Sequence, residues 1–312
     1  MLPPIALRRL RAYEGPHIYG PWTGVHLRVR CDSDRSPRLR AAIKDGAQFI
    51  GLVIAYLEVT ASADGPGYLL SASFATDAPR LGADLCAYVV EGIGAEARGD
   101  ETWDRDGPLF ALQARRRAEA LPVAALQLVA EARRRNLPCF TRPDGWVQIG
   151  YGARGWSFDP EPLRAREARA PQPPWERIGR IPIIAVTGGA LRGLAVERMA
   201  AELAGLGARP AVIDHASFAA TRELLADPRT EALVAGLDTG DILRRGVAFD
   251  ACDLAVISDR GNEAPPDADD DEEWLRALGV PMLLAAQPAR INLSDPHVLP
   301  LVPYAPYGVM AL

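Results

Sequence analysis

A strand, a glycine-rich turn and a basic residue follow one another in the stretch IPIIAVTGGALRGL, which spans residues 181–194. The apolar run is typical of a buried strand, and the glycines turn it directly into the start of a helix. This is the pattern of a phosphate-binding loop, in which backbone N–H groups surround an anion. The candidate nucleotide-binding residues are Thr187, Gly188, Gly189, Arg192 and Gly193.

The residue types in this loop fit a nucleotide site only in part. A working loop uses a lysine at the β- and γ-phosphates and a serine or threonine hydroxyl for Mg²⁺. Arg192 keeps the positive charge, but a planar guanidinium is bulkier than an ammonium and fits poorly between phosphates. Gly193 has no hydroxyl to offer a metal. We therefore expect a vestigial nucleotide site without catalytic residues or metal ligands.

The elements that position this loop are predicted by the residues around it. Short apolar segments alternate with helical ones in residues 180–312, which predicts an α/β domain with a largely parallel sheet. The last strand expected there is 281–285. Ligands bind beyond the carboxyl ends of parallel strands. Gly188, Gly236 and Ser258 are expected to gather at that edge.

Residues 1–152 predict a separate N-terminal α+β domain. A helical pattern runs from residue 36 to about residue 60, and a hairpin with Asp144 and Gly145 at its turn closes the domain. Residues 153–179 are rich in proline and lack apolar periodicity, so we expect them to be the linker between the two domains.

Two groups of side chains are candidates for binding a polymer or a partner protein. One is the aromatic loop EGPHIYGPWTG, for which a tight turn of packed aromatic rings is the competing interpretation. The other is a pair of arginine triplets near helix ends, where cations also stabilise the helix dipole. The candidates are His17, Tyr19, Trp22, Arg115, Arg116, Arg117, Arg133, Arg134 and Arg135.

Composition excludes several classes of protein. The 312 residues are 48% hydrophobic and 24% charged, with a net charge of -5, as in soluble globular proteins. No apolar run approaches the ~18 residues of a membrane span, and no secretory signal is visible, so a cytoplasmic protein is expected. The acidity argues against nucleic-acid binding. The acidic run at 267–273 is interpreted as a helix start, with a dock for an arginine-rich partner as the alternative.

Several segments together resemble the cyanophycin synthetase family. The run ADPRTEALVAGLDTGDILRRGVAFDACDLAVISD at 226–259 resembles the central Mur-ligase-like domain of these enzymes. YEGPHIYGP at 13–21 and NLPCFTRPDGWVQIGYG at 136–152 resemble the start and the end of their N-terminal domain. ARINLSDPHV at 289–298 also resembles a family segment, and all of these segments follow the family's order.

The resemblance implies an N-terminal α+β domain followed by a degenerate Mur-ligase-like α/β domain. It also implies that the family's ATP-grasp domain and its last Mur domain are missing. The family's loop GTNGKTT aligns with residues 188–194, its metal-binding acid with Gly236, and its segment NIGDDHLG with residues 258–265, where the histidine is absent. Because the phosphate clamp, the metal ligand and the histidine are all altered, we expect a non-catalytic protein.

The expected function is that of a binding, scaffolding or regulatory partner in the metabolism of an Asp/Arg polyamide, without a cofactor. Its partner would be a full-length ligase of the family or the polymer itself. We expect it to bind neither nucleic acid nor a membrane. A homo-oligomer is compatible with the sequence. The alternative is an ATP-dependent carboxylate–amine ligase completed by a partner subunit, which would bind ATP and Mg²⁺. A residual site built from Arg192, Asp238 and Asp241 also stays open.

Overall fold

The computed structural model describes residues 4–165 and 169–312. The chain divides into two units, Met1–Ala120 and Leu121–Leu312. This division lies before the hairpin and therefore earlier than the linker expected at 153–179. Each unit has its own sheet and its own apolar core.

The first unit is a four-stranded antiparallel sheet with helices packed on one face. Its elements are β1 (Ile5–Tyr13), β2 (Gly24–Cys31), α1 (Ser36–Ile50), β3 (Ile54–Asp64), β4 (Gly67–Thr76), α2 (Pro79–Arg98) and α3 (Gly107–Glu119). The strand order is β1-β2-β4-β3. Side chains alternate along a strand, so Val25, Leu27 and Val29 of β2 lie in the core with residues of α1 and α2. The basic residues between them lie on the opposite face.

The helix expected from residue 36 to about residue 60 ends earlier, at Ile50. Gly51 adopts the left-handed conformation, with φ of 71°, and its N–H bonds back to the last turn of α1. The chain then enters β3. That strand lies at the edge of the sheet, and apolar side chains such as Tyr56 are exposed on it. Because β3 lacks the alternation of a half-buried strand, its apolar residues look like a continued helical stripe.

The second unit begins with a helix and a small three-stranded antiparallel sheet. These elements are α4 (Val123–Arg134), β5 (Cys139–Thr141), β6 (Val147–Ile149) and β7 (Trp156–Phe158). The predicted hairpin is confirmed, since β5 pairs with β6 on either side of the turn. The expected linker instead contains β7, and Phe158 and Ile178 both lie in the core formed with α4. Residues 166–168 of that expected linker lie outside the described residues.

A buried tyrosine joins the hairpin to the rest of the second unit. The Tyr151 hydroxyl donates to Asp250 Oδ1 at 3.0 Å, and the Asp250 N–H donates back to the hydroxyl oxygen at 3.2 Å. Arg180 donates to the same carboxylate, with Nη2 2.5 Å from Oδ2. Burial, together with the neighbouring charge of Asp250, raises the pKa of Tyr151, so this hydroxyl stays a donor. These contacts explain why the hairpin belongs to the second unit.

The remainder of the second unit is a six-stranded, all-parallel sheet with helices between its strands, which confirms the predicted α/β fold. Its elements are β8 (Ile183–Thr187), α5 (Arg192–Gly205), β9 (Pro210–Ala216), α6 (Phe218–Ala226), β10 (Ala232–Leu237), α7 (Thr239–Arg245), β11 (Leu254–Ile257), α8 (Asp271–Leu284), β12 (Ala289–Ile291) and β13 (Val309–Ala311). The strand order is β13-β12-β11-β8-β10-β9. The chain leaves β8 toward β9 and leaves β11 toward β12, on opposite sides. A crevice is therefore expected beyond the carboxyl ends of β8 and β11.

The strand expected at 281–285 is wrong, because α8 continues through Pro281 to Leu284. The run from Ala277 to Met282 is continuously buried, and periodicity alone does not separate a buried helix from a buried strand. The next strand is β12. Neither α8 nor any other helix among the described residues is long and apolar enough to cross a membrane.

Candidate functional site

The β8–α5 loop (residues 188–191) lies at the carboxyl end of the central strand of the parallel sheet. Gly188 has φ of 152°, a conformation that favours glycine, and a side chain there would collide with the Ser258 hydroxyl. Gly236 lies at the same end of β10, paired with Val186 of β8. The expected gathering of Gly188, Gly236 and Ser258 is confirmed.

The backbone amides of the β8–α5 loop are bound by a carboxylate of the same chain. Asp259 Oδ1 accepts from the Gly189 N–H at 2.9 Å and from the Leu191 N–H at 3.2 Å. The Ser258 hydroxyl donates to the same oxygen at 2.7 Å. Asp259 is only 9% exposed. In a phosphate-binding loop, amides of this kind bind the ligand's phosphate. Here the anion comes from the segment that follows β11.

Thr187 has a structural role in this arrangement. Its hydroxyl donates to the Leu278 carbonyl oxygen at 2.8 Å, and its side chain is buried. This hydrogen bond connects the end of β8 to α8, so the hydroxyl already has an acceptor within the fold. Gly193, at the position where a working loop has its Mg²⁺-binding hydroxyl, follows in the first turn of α5.

The guanidinium of Arg192 forms hydrogen bonds with residues at the ends of β9 and β10. Its Nε donates to Asp214 Oδ1 at 2.7 Å, and its Nη1 donates to the Leu237 carbonyl at 3.4 Å. Its Nη2 lies 2.7 Å from His215 Nδ1. Arg192 is 6% exposed. All three nitrogens of this buried cation therefore already have partners in the fold.

Asp214 is held in its charged form by these contacts. Burial by itself would raise the pKa of Asp214, but the hydrogen bonds from Arg192 and from the His215 backbone N–H outweigh it. The pKa of this carboxyl therefore lies below its ordinary value. His215 adopts a left-handed conformation with φ of 53°, which is uncommon for a residue other than glycine. Its side chain is exposed beside the Arg192–Asp214 pair.

Asp214 lies next to three positions at which the sequence departs from a working phosphate-binding site. Arg192 pairs with it, and a Cβ atom on Gly193 would lie 3.2 Å from its Oδ2. A Cβ atom on Gly236 would collide with Asp214 Oδ1. Three of the positions that depart from the resembled pattern therefore surround one carboxylate. They form a connected set, in which the small residues make room for the ion pair.

The residual site considered for Arg192, Asp238 and Asp241 is not formed. Asp238 caps α7, because its Oδ1 accepts from the Asp241 N–H at 2.8 Å. The Asp241 carboxylate accepts from the Phe218 N–H and pairs with Arg244 at 3.4 Å. Arg192 has Asp214 as its carboxylate partner instead.

The acidic run at 267–273 forms the start of α8, which confirms its interpretation as a helix start. Asp270 accepts from the Glu273 N–H at 2.8 Å, and the Asp269 N–H donates to Glu273 Oε2 at 3.1 Å. The pattern resembles a capping box, except that Glu273 accepts from the N–H of the residue before the cap. Arg260 pairs with Asp271 at 3.2 Å and lies 4.4 Å from the ring centroid of Trp274.

The aromatic candidates of the first unit lie together. His17 stacks on Tyr13 at 3.9 Å and lies edge-on to Trp22, with the ring centroids 6.2 Å apart. Tyr19 stacks on His26 at 3.7 Å. His17 is buried, whereas Tyr19 and Trp22 are half-buried. The packed-turn interpretation accounts for His17, and the other two rings keep accessible surface.

The arginine triplets are distributed over both units and are largely paired with nearby acids. In the first unit, Arg115 pairs with Asp84 and Glu119, and Arg116 pairs with Asp77. In the second unit, Arg134 and Arg135 both pair with Glu131. Arg116, Arg117, Arg133 and Arg134 lie in the last turns of α3 and α4. Within each unit, helix-end stabilisation therefore describes the triplet better than an unpaired cationic patch.

The sequence pattern does not identify Asp214 and Asp259 as partners of the loop region. The available signal is position, since Asp214 lies near the end of β9 and Asp259 lies just beyond β11. A buried arginine in the first turn of α5 would in addition require a nearby anion. Within the described residues, no group of three or more His, Cys, Asp or Glu side chains is arranged to hold a metal ion.

Comparison with curated proteins gives no match. One family's sequence model matches residues 4–312, and this match runs through both units, including the β8–α5 loop and the residues that close it. The chain therefore belongs to the family described as a domain of unknown function, DUF4938.

Proposed function

We propose that this chain is a non-catalytic, cyanophycin-synthetase-like protein of the cytoplasm that acts as a binding, scaffolding or regulatory partner in the metabolism of an Asp/Arg polyamide. The observation that carries the non-catalytic part is the 2.7 Å ion pair between Arg192 and Asp214. Phosphoryl transfer needs uncompensated positive charge at the β- and γ-phosphates. Residues 188–194 contain only one basic residue, and its charge is already neutralised by Asp214.

The aromatic cluster of the first unit supports the binding part of this proposal. A polyamide of Asp and Arg presents guanidinium groups, which stack on aromatic faces. Tyr19 and Trp22 are half-buried, and the ring of His17 contacts both of them. In this proposal the two rings contact the polymer, and the buried His17 positions them.

Calorimetry with ATP and Mg²⁺ tests the non-catalytic role. We expect no metal-dependent binding by the wild-type protein, and no phosphate release when Asp, Arg and a polyamide primer are supplied. Tight MgATP binding that is lost in Arg192→Ala and kept in Arg192→Lys would overturn the proposal. That result would favour the ATP-dependent carboxylate–amine ligase, whose missing residues a partner subunit would supply.

Co-sedimentation with an Asp/Arg polyamide and a pull-down with a full-length ligase test the binding role. We expect the wild-type protein to be retained by at least one of them, and Trp22→Ala to be retained less on the polymer. Trp146→Ala, which removes a partly exposed tryptophan from the hairpin, is the matched control. Retention by neither the polymer nor the ligase would count against this role.

A further inference from the structure

We infer that Asp259 is an intramolecular inhibitor of the β8–α5 loop: its carboxylate occupies the amides of Gly189 and Leu191 and keeps phosphate groups away from them. The inference rests on the proposed non-catalytic function and deepens it, because it names the residue that excludes the nucleotide. Two loop amides and the Ser258 hydroxyl donate to one oxygen of this buried side chain.

Asp259 competes directly with any anion at this position. The amides at the start of α5 attract negative charge, and a carboxylate satisfies them as a phosphate would. A phosphate approaching Gly189 and Leu191 would meet the Asp259 carboxylate at hydrogen-bond distance, and the two anions would repel each other. Arg192, the basic residue that follows the loop, does not offset this repulsion, because its charge is paired with Asp214.

The segment that carries Asp259 is anchored on both sides. The Ser258 N–H donates to the Thr187 carbonyl at 3.0 Å, which fixes the residue before it to the end of β8. The Arg260 N–H donates to Asp295 Oδ2 at 3.0 Å, which fixes the residue after it. Asp259 is therefore held against the loop by its own backbone, and its release requires the whole segment to move.

Titration with inorganic pyrophosphate, followed through the backbone amide signals of Gly189 and Leu191 by NMR, tests this assignment. The wild-type protein and Asp259→Asn are expected to show no shift, because the oxygen of an asparagine still accepts from both amides. Asp259→Ala is expected to show saturable shifts at these two amides. The matched control is Asp227→Ala, which removes a carboxylate that also accepts a backbone N–H group, that of Arg229, but lies at the end of α6 and does not anchor the Asp259 segment. It should behave like the wild type.

Two results would overturn the inference. One is a wild-type protein whose Gly189 and Leu191 signals respond to pyrophosphate as strongly as those of Asp259→Ala. The other is a folded Asp259→Ala protein whose signals do not respond. If the alanine variant does not fold, Asp259→Ser serves with the same expectations, because it also removes the carboxylate. If the folded Asp259 variant does not respond to pyrophosphate and the wild-type protein binds no MgATP, this inference is wrong but the proposed function still stands. MgATP binding by the wild type would instead remove the proposed function.

Discussion

Arg192 Nε donates to Asp214 Oδ1 at 2.7 Å, and this contact joins the first turn of α5 to the end of β9. Asp214→Ala leaves a buried guanidinium without its counter-ion, which is expected to destabilise the protein by on the order of 3 kcal/mol. Urea unfolding of the wild type and the variant measures this difference. The double variant Arg192→Ala/Asp214→Ala should lose less than the sum of the two single variants.

A surface ion pair provides the control for this prediction. Arg198 and Glu202 lie one turn apart on α5, at 3.4 Å, and both are exposed. The control changes Arg198 and not Glu202, because Glu202 also pairs with Arg290. Because exposed pairs contribute little, Arg198→Ala should change the free energy of unfolding by less than about 1 kcal/mol. Equal effects of Arg198→Ala and Asp214→Ala would show that the buried pair has no special role.

Gly236→Ala is expected to disrupt the same pair from the side of β10. The added methyl group would collide with Asp214 Oδ1 and would lie 3.3 Å from Cδ of Arg192. The ion pair or the strand must then move, at a cost of about 1–3 kcal/mol. Gly205→Ala is the matched control, because its methyl group, at the end of α5, would meet no atom within 4 Å apart from the neighbouring backbone of the same helix. Thermal unfolding should separate the two variants, and similar melting temperatures would contradict the prediction.

The stability contribution of Asp214 is expected to depend on pH. Its pKa is lowered in the folded protein, so its charge stabilises the fold above the pKa of the unfolded state. That contribution is lost as the pH falls through the lower, folded pKa. The difference in urea midpoint between the wild type and Asp214→Asn should therefore shrink below about pH 4. A difference that stays constant from neutral to acid pH would show that the ionised carboxylate is not what stabilises this region.

Tyr151→Phe tests the connection between the hairpin and the parallel-sheet region. The variant removes a buried hydroxyl that both donates to Asp250 and accepts from its N–H. We expect a loss of about 1–3 kcal/mol, because the Asp250 N–H also loses its acceptor. Tyr304→Phe, at an exposed tyrosine, is the control. Unfolding curves in urea provide the comparison, and an unchanged Tyr151→Phe midpoint would argue against a stabilising connection.

The elements of the parallel sheet were largely predictable because its central strands are short, apolar and bounded by glycine or polar residues. β1 is different: its sequence IALRRLRAY carries three arginines, and a register shift between Leu7 and Arg9 interrupts the alternation. The strand predicted over 281–285 and the helix predicted to about residue 60 are wrong for opposite reasons. Residues 277–282 of α8 form a continuous buried run, whereas β3 is an exposed edge strand.

The candidate site was predictable as a place and not as a set of contacts. The glycine-rich turn after a buried strand indicates where the loop lies. The partners of Arg192 and Gly189 come from the ends of β9 and β11, 22 and 70 residues away in the chain. Which acid meets which donor depends on the strand order β11-β8-β10-β9, and local periodicity does not specify that order.

The anchoring of Asp259 beside Gly189 has a consequence for how the loop responds to its surroundings. An anion attached to the same chain has an effective concentration that is set by geometry and does not fall on dilution. Nucleotides and free phosphate, in contrast, rise and fall with metabolism. A loop whose amides are bound by its own chain should hold one conformation through such changes. We therefore expect the six-stranded parallel sheet and its β8–α5 loop to keep one structure at high and low nucleotide concentrations, and so not to act as a sensor of cellular energy.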